Sequence, residues 1–377
     1  MDARQGYAVV RDGGGWIIGE RPSRAITARG GDLFDALEEI AGGGFWVGFV
    51  AYDAGRAVEH VRTRIEDDLG LPDLAFVRFD ELRRVDDLPP VSAPAIELGR
   101  GATSLTRAEH AELVDVIHTL LVAGECYQVN LTRRLTFDAA PDPFALFTAL
   151  ARVNPAPHAA MCAFGEALPG VAVVSASPEL FLRVDGREVE TRPIKGTAAE
   201  AATLRTSRKD RAENLMIVDL ARNDLGRVCE FGSIEVPSLF EIEEHPGLAH
   251  LVSTVRGRLR HDVGLHDLVR ATFPPASVTG APKPRVLQAI EDLEPVRRGV
   301  YCGAFGWIDA TDATTVRMEL AVAIRTFTIA AGRTHLGVGG GIVADSCAHD
   351  EWIETELKGA RLLRAAGARA DEPVDAR

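Results

Sequence analysis

The order of apolar and polar positions along the chain switches repeatedly between two periods, and the switches mark out its elements. Residues 7–83 read as an N-terminal lobe. The apolar runs 16–18 and 45–52 predict strands, the second a buried one ending in a polar turn, and 32–40 has the spacing of a helix. Residues 86–101 carry Pro89, Pro90 and Pro94 without periodicity and read as a linker or surface loop. At Thr106 a helix is predicted to start, with Thr106 and Glu109 as a capping box. Leu113, Ile117, Leu120 and Leu121 form its apolar stripe, and Gly124 ends it.

Beyond it the pattern predicts a strand at 126–137, a helix at 143–152 and strands at 159–164 and 171–175. A hairpin of 180–184 with 188–194 follows, turning at Asp185-Gly186. Residues 207–220 read as a helix with Asp210 and Glu213 on one face. Residues 239–259 cross a polar turn at His245-Pro246-Gly247. Short helices at 267–273 and 284–293 flank a loop at 274–282, and strands are expected at 301–308, 319–328 and 335–343. A last helix spans 349–365. The expected organisation is a lobe and linker over 1–100, packed intimately on a catalytic region over 101–365, with a frayed tail at 366–377.

Strands and helices interleave without regular βαβ alternation, and neither a Gly-x-Gly-x-x-Gly turn nor a Walker-type loop occurs, so nucleotide binding is unsupported. The net charge of −13, from 42 basic and 55 acidic residues, argues against nucleic-acid or membrane-surface partners. An anionic substrate would need a locally positive pocket or a bound cation. Five scattered cysteines, with no Cys-x-x-Cys, suggest neither a disulfide framework nor a zinc site and fit a reducing cytoplasm. No signal peptide or membrane-length apolar stretch is apparent.

Chemistry could sit at several places. Lys195, in Thr191-Arg192-Pro193-Ile194-Lys195-Gly196-Thr197, lies between an apolar residue and a glycine; desolvation there would lower its pKa and free the amine as a nucleophile. An exposed turn lysine fits the same residues. Asp210 and Glu213 on one helix, with Glu351, Glu354 and Lys358 on the last, are too few to enclose a cation but suit Mg²⁺, which keeps waters and shares ligands with an anionic substrate. A solvated helix with a Glu354–Lys358 pair is the plainer alternative. Glu179, in Ser177-Pro178-Glu179, is a candidate general acid. A strict two-residue turn at Asp185-Gly186 would put Glu179 and Lys195 on opposite faces, whereas a three-residue turn with left-handed Gly186 pairs 179 with 193 and puts both on one face. The run Val338-Gly339-Gly340-Gly341-Ile342 would let a carboxylate approach the backbone, and Arg325 and Lys283 are further possible carboxylate partners.

Taken in order, nine stretches resemble the chorismate-utilising enzymes, a family that includes the anthranilate, aminodeoxychorismate, isochorismate and salicylate synthases. They are 125–131, 177–179, 192–197, 210–215, 219–226, 250–253, 273–283, 339–346 and 351–358, and Gly48-Phe49-Val50-Ala51-Tyr52-Asp53 is similar as well. The resemblance implies an α/β (α+β) sandwich of two mainly antiparallel sheets with helices packed outside and the active site in a cleft between the sheets. By motif position, Glu213 and Glu354 would bind Mg²⁺, with Asp210 and Glu351 acting through water. Glu179 would protonate the departing C4 hydroxyl of chorismate. Thr197, Gly196, Gln128, Tyr301, Arg325, Gly339, Gly341 and Lys358 would contact substrate, and His250 would lie beside its ring.

Family members with a water-activating lysine carry it where this chain has Gln128, and anthranilate synthases carry alanine where it has Lys195. Gln128 with Lys195 therefore resembles the members that aminate chorismate at C4, with Lys195 attacking C2; amination at C2 with pyruvate loss is the alternative. Two features depart from the family. Glu319-Leu320 replaces the usual Asp-Thr, and the Tyr301–Arg325 interval is longer. The Leu-Pro segment of tryptophan-regulated relatives is not seen, so regulation by tryptophan is not expected. The chain carries no recognisable glutaminase, which implies a separate glutamine amidotransferase subunit as the ammonia source.

Overall fold

Strands buried on both faces dominate the chain: every residue of Phe45–Val50, His158–Ala163 and Ala172–Ser177 is buried, as strands covered on both sides require. They assemble into two sheets in which all the pairings but one are antiparallel among the described residues. The computed structural model describes residues 1–90, 96–198, 200–245, 248–312 and 315–370.

The first sheet runs Ala368–Ala370, Gly99–Thr103, Gln128–Phe137, Arg333–Ile342, Thr326–Ala330, Ala172–Ser177, His158–Ala163, Tyr7–Asp12, Gly15–Glu20, Leu82–Val85. The second runs Ile194–Ala198, Leu248–Arg258, Glu188–Arg192, Leu180–Asp185, Thr315–Val322, Ala304–Asp312, Phe45–Val50, Leu74–Phe79, Arg24–Ala28. Between them lies a shared core of Ala8, Val10 and Ile17 from one sheet and Val47, Phe49 and Phe305 from the other. Helices Pro143–Val153 and Ala348–Ala365 cover the outer face of the first sheet through Leu146, Leu150 and Leu362. Helices Leu33–Ala41, Arg208–Gly226 and Leu265–Thr272 cover the second, against Trp46, Val184, Met318 and Leu320, while Lys283–Leu293 packs on Gln128–Phe137 of the first. This is the expected sandwich with helices outside.

Helix Arg107–Val122 starts as its sequence predicts. The Thr106 hydroxyl accepts from the Glu109 N–H at 3.3 Å and the Glu109 carboxylate accepts from the Thr106 N–H at 2.8 Å, a cap worth about 1 kcal/mol. The first ninety residues contribute strands to both sheets. The edge strand Arg24–Ala28 escapes a reading by apolar runs because it is partly exposed and mixes polar with apolar residues.

Three other boundaries differ from expectation, and one expected turn lies partly outside the described residues. Part of the presumed linker, Gly99–Thr103, is a strand, while Pro94 lies outside the described residues. Ala366 is fully buried and Ala368–Ala370 pairs in parallel with Gly99–Thr103, so order continues past 365; residues 371–377 lie outside the described set. The turn between Glu235–His245 and Leu248–Arg258 falls on Pro246 and Gly247, also outside it. Residues 319–328 are not one strand: Thr315–Val322 belongs to the second sheet and Thr326–Ala330 to the first, and the chain crosses between them at Arg325, whose φ is +50°. Among the described residues no helix is long and apolar enough to cross a membrane.

Candidate active site

The hairpin that carries Lys195 meets its geometric condition by a different device from the one expected. Asp185 pairs with Glu188, so the loop residues are Gly186 and Arg187, with Gly186 at φ +59°. The turn is a tight two-residue one, displaced by a residue from Asp185-Gly186. The register then shifts by one between Arg183 and Leu180, and Leu180 faces Arg192. Continued one residue, that register sets 179 opposite 193. A bulge inside the strand thus does what a wider turn would have done, and Glu179 and Lys195 come together.

Glu179 is buried and Lys195 half-buried, and the two meet at the loop around Ser277. The Lys195 ammonium donates to the Ser277 carbonyl at 2.9 Å. Burial lowers its pKa, against the opposing pull of Glu213 and Glu179. Glu179 is 3% exposed, and burial pushes its carboxyl up to about 7, although a hydrogen bond from the Ser277 side chain, the charge of Lys195 and the Ile194 N–H all favour the ionised form. Ser277 therefore touches both groups. Its role is invisible in sequence because it comes from a loop without periodicity.

Two helices bring the acidic residues to the same place. Ser207 caps Arg208–Gly226 by accepting from the Asp210 N–H at 3.2 Å, which fixes the first turn. Burial raises the pKa of Glu213, with Lys195 and Lys209 opposing. Asp210 packs on Gly196, whose φ of +89° and 2.9 Å clearance to the Asp210 Cβ leave no place for a side chain. On Ala348–Ala365, Glu351 accepts from the Ser346 hydroxyl at 2.6 Å, Glu354 pairs with Lys358 at 2.6 Å, and Lys358 donates to the Gly339 carbonyl at 2.9 Å.

The glycine run has a packing reason beside any ligand role. A Cβ at Gly340 would lie 3.1 Å from a Glu351 oxygen, and one at Gly341 would lie 2.6 Å from the Gln128 amide nitrogen. Gln128 is fully buried, and neither its amide nitrogen nor its oxygen has a hydrogen-bond partner among the described residues. Thr197 and His250 are cross-strand partners, hydroxyl to Nδ1 at 2.9 Å. Arg325 faces the same region: burial and the charge of Arg361 lower its pKa to about 10, with Glu179 opposing. Arg361, three residues past Lys358 on the same helix, had not been singled out in the sequence.

Three residues stand apart. Lys283 is held in a buried ion pair with Asp224 at 2.7 Å and donates to the Thr272 carbonyl at 2.7 Å, so its charge is committed to the fold and not to a ligand. Tyr301 lies in the turn before Ala304–Asp312 with its ring packed on Gly337, two residues along the strand from Gly339. Glu319, the departure from the family pattern, bonds His158 at 2.7 Å and Arg183 at 2.9 Å. These line a cavity of about 550 Å³ together with Arg192 and Glu243, which also pair with each other. Its charges largely satisfy one another.

Among the described residues no three acidic, His or Cys side chains close tightly enough around one point to hold a metal unaided. Glu213 and Glu351 nonetheless face a common cation, the Lys209 ammonium, at 3.9 and 3.8 Å, and its charge also acts on Glu354. A set this open fits a hard cation that retains water and takes part of its coordination from a substrate.

Residues 93–364 match the family described as chorismate binding enzyme. The chain belongs to the chorismate-binding enzyme family. It is 39% identical over 350 residues to aminodeoxychorismate synthase component 1 of Klebsiella aerogenes, covering 84% of this chain and 76% of that one. It is 37% identical over 361 residues to anthranilate synthase component 1 of Thermus thermophilus, covering 85% and 76%. The crystal structure of anthranilate synthase component I from Streptococcus pneumoniae superposes with a TM-score of 0.79 at 28% identity, over 92% of this chain and 91% of that one. The chorismate-binding match takes in Lys195, Glu179, both acidic helices and the glycine strand, but not the first ninety residues, which complete both sheets.

Proposed function

We propose that this chain aminates chorismate at C4 with ammonia, giving 4-amino-4-deoxychorismate through a covalent Lys195 adduct. The observation that carries the reading is the Lys195–Glu179 pair: a half-buried lysine with no carboxylate in direct contact among the described residues, beside a carboxyl that keeps its proton to near neutrality. In the first step the Lys195 amine bonds to C2, both ring double bonds shift by one position, and the C4 hydroxyl leaves as water with the proton of Glu179. In the second, ammonia bonds to C4, both double bonds shift back, the lysine departs from C2 as the amine, and the new C4 ammonium returns a proton to Glu179. The sum is chorismate plus ammonia to aminodeoxychorismate plus water.

Glu213 and Glu354, with Asp210 and Glu351 behind them, are the residues suited to hold Mg²⁺, which when bound would neutralise substrate carboxylate charge. Arg325, Lys358 and the Gly339–Gly341 backbone would hold the anionic substrate, and Gln128, Tyr301, Gly196 and Thr197 would complete its contacts. His250, fixed by Thr197, would lie beside the ring. Lys283 has no part in this reading. Relatives named component 1 support a separate amidotransferase that delivers ammonia to this chain, in a p-aminobenzoate and folate or an aromatic antibiotic route. The free cysteines fit a cytoplasmic site of action.

The similarity to anthranilate synthases favours a second reading, amination at C2 with loss of pyruvate. Incubation with chorismate, MgCl₂ and ammonium, followed by mass and chromatographic identification of the product, decides between them. Aminodeoxychorismate is expected; anthranilate with pyruvate supports the second reading, and isochorismate or salicylate overturns both.

A further inference from the structure

We propose that Lys209 is a resident cation of the acidic cleft: its ammonium bridges the carboxylates of the two helices when no divalent ion is bound, and competes with that ion for them. The inference rests on the Mg²⁺ reading above. Lys209 lies in the first turn of Arg208–Gly226, where the exposed N–H groups and the helix dipole favour anions. A cation at that position is disfavoured by its own helix dipole. What it gains comes from two carboxylates, Glu213 four residues on along the same helix at 3.9 Å and Glu351 across the cleft at 3.8 Å.

The neighbouring cations are placed differently. Lys358 is tied to Glu354 at 2.6 Å and to the Gly339 carbonyl at 2.9 Å, and Lys195 is tied to the Ser277 carbonyl at 2.9 Å. Lys209 makes only longer, purely electrostatic approaches. Its side chain is 52% exposed, while those of Glu213 and Glu351 are 17% and 5% exposed. The carboxylates are therefore held by their surroundings, and the lysine reaches them from solvent on a flexible stem. It can leave without moving either helix. A divalent ion that takes up the same oxygens meets a positive charge within salt-bridge reach of them, so entry of the metal and departure of Lys209 are coupled. Lys209 is a positioning residue that sets how tightly the metal binds and keeps the two helices in register in its absence.

The test compares wild type, Lys209→Met and Lys209→Arg as full chains, titrated with MgCl₂ in a calorimeter and melted with and without MgCl₂. Lys209→Met should bind Mg²⁺ about three- to tenfold tighter than wild type, and Lys209→Arg within about twofold of it. Without metal, Lys209→Met should melt below wild type, and the gap should close at saturating MgCl₂. An affinity that is unchanged or weaker in Lys209→Met overturns the inference while leaving the metal reading intact. Wild type that takes up no Mg²⁺ overturns the metal reading, and the inference with it.

Discussion

Two lysines, Lys195 and Lys283, are drawn out of solvent within reach of one small cavity, and they are held in different ways. Glu179, beside Lys195, and Asp224, beside Lys283, both line that cavity, together with Leu180, Ile217 and Leu225. Each ammonium donates to a backbone carbonyl, Lys195 to Ser277 at 2.9 Å and Lys283 to Thr272 at 2.7 Å. Burial lowers the pKa of both. The difference is the counter-ion. Lys283 has Asp224 at 2.7 Å, which completes a buried ion pair, whereas Lys195 has carboxylates near enough to feel but none in contact among the described residues. A lysine locked to a carboxylate holds two elements together; one left without that bond has a nitrogen lone pair within reach of chemistry.

The comparison breaks if the two lysines respond alike to removal. Lys195→Ala should lower the aminating rate by about 10²–10⁴-fold and abolish any protein–chorismate adduct seen by mass spectrometry, with Glu179→Gln costing a similar factor in rate. Loss of the adduct without loss of rate would remove the covalent role. Lys283→Met should instead act on stability. It removes one of the two cations on Asp224, leaving Arg227 at 2.6 Å, and should cost about 1–3 kcal/mol in urea denaturation, more than Lys195→Met.

A pH profile sharpens the same contrast. The Glu179 carboxyl is raised to about 7 from an ordinary value near 4.5, so its acid form is full below that range and is lost as pH rises through about 7. The aminating rate should therefore fall about tenfold per pH unit on the alkaline side, and that limb should be missing from the residual rate of Glu179→Gln. A limb that persists unchanged in the variant would assign the titration to another group.

What the sequence discloses follows the kind of force at work. Local forces are legible: the Thr106–Glu109 capping box and the face shared by Asp210 and Glu213 depend on residues three apart, and the helices at both places form as the spacing predicts. Lys195 and Glu179 could be paired in advance only as a condition on register. The condition is met by a bulge at 180–183, where the pairing with Thr315–Val322 also slips, and not by the turn residues. Arg325 looks like a mid-strand residue because an apolar run continues through it, yet the chain changes sheets there, a tertiary fact without a periodic signature. Lys283 looked like an anion partner because its counter-ion, Asp224, is far away in sequence. Ser277 and Arg361 carry no local signal at all; one acts through a loop carbonyl and hydroxyl, the other through the far end of a helix face.

Gln128 extends the comparison to a neutral group and gives its smallest effect. Like Lys195 it is drawn out of solvent without a full set of partners, but its amide makes no hydrogen bond at all among the described residues. A buried amide left unpaired costs about 1–3 kcal/mol relative to a site where it is satisfied, a cost that a bound substrate could relieve. Methionine has nearly the same length and no amide. Gln128→Met should therefore stabilise the ligand-free protein by about 1–2 kcal/mol in denaturation while raising the KM for chorismate, because the group that substrate would satisfy is gone. If the variant is instead destabilised with KM unchanged, Gln128 serves the packing against Gly341 and not the substrate.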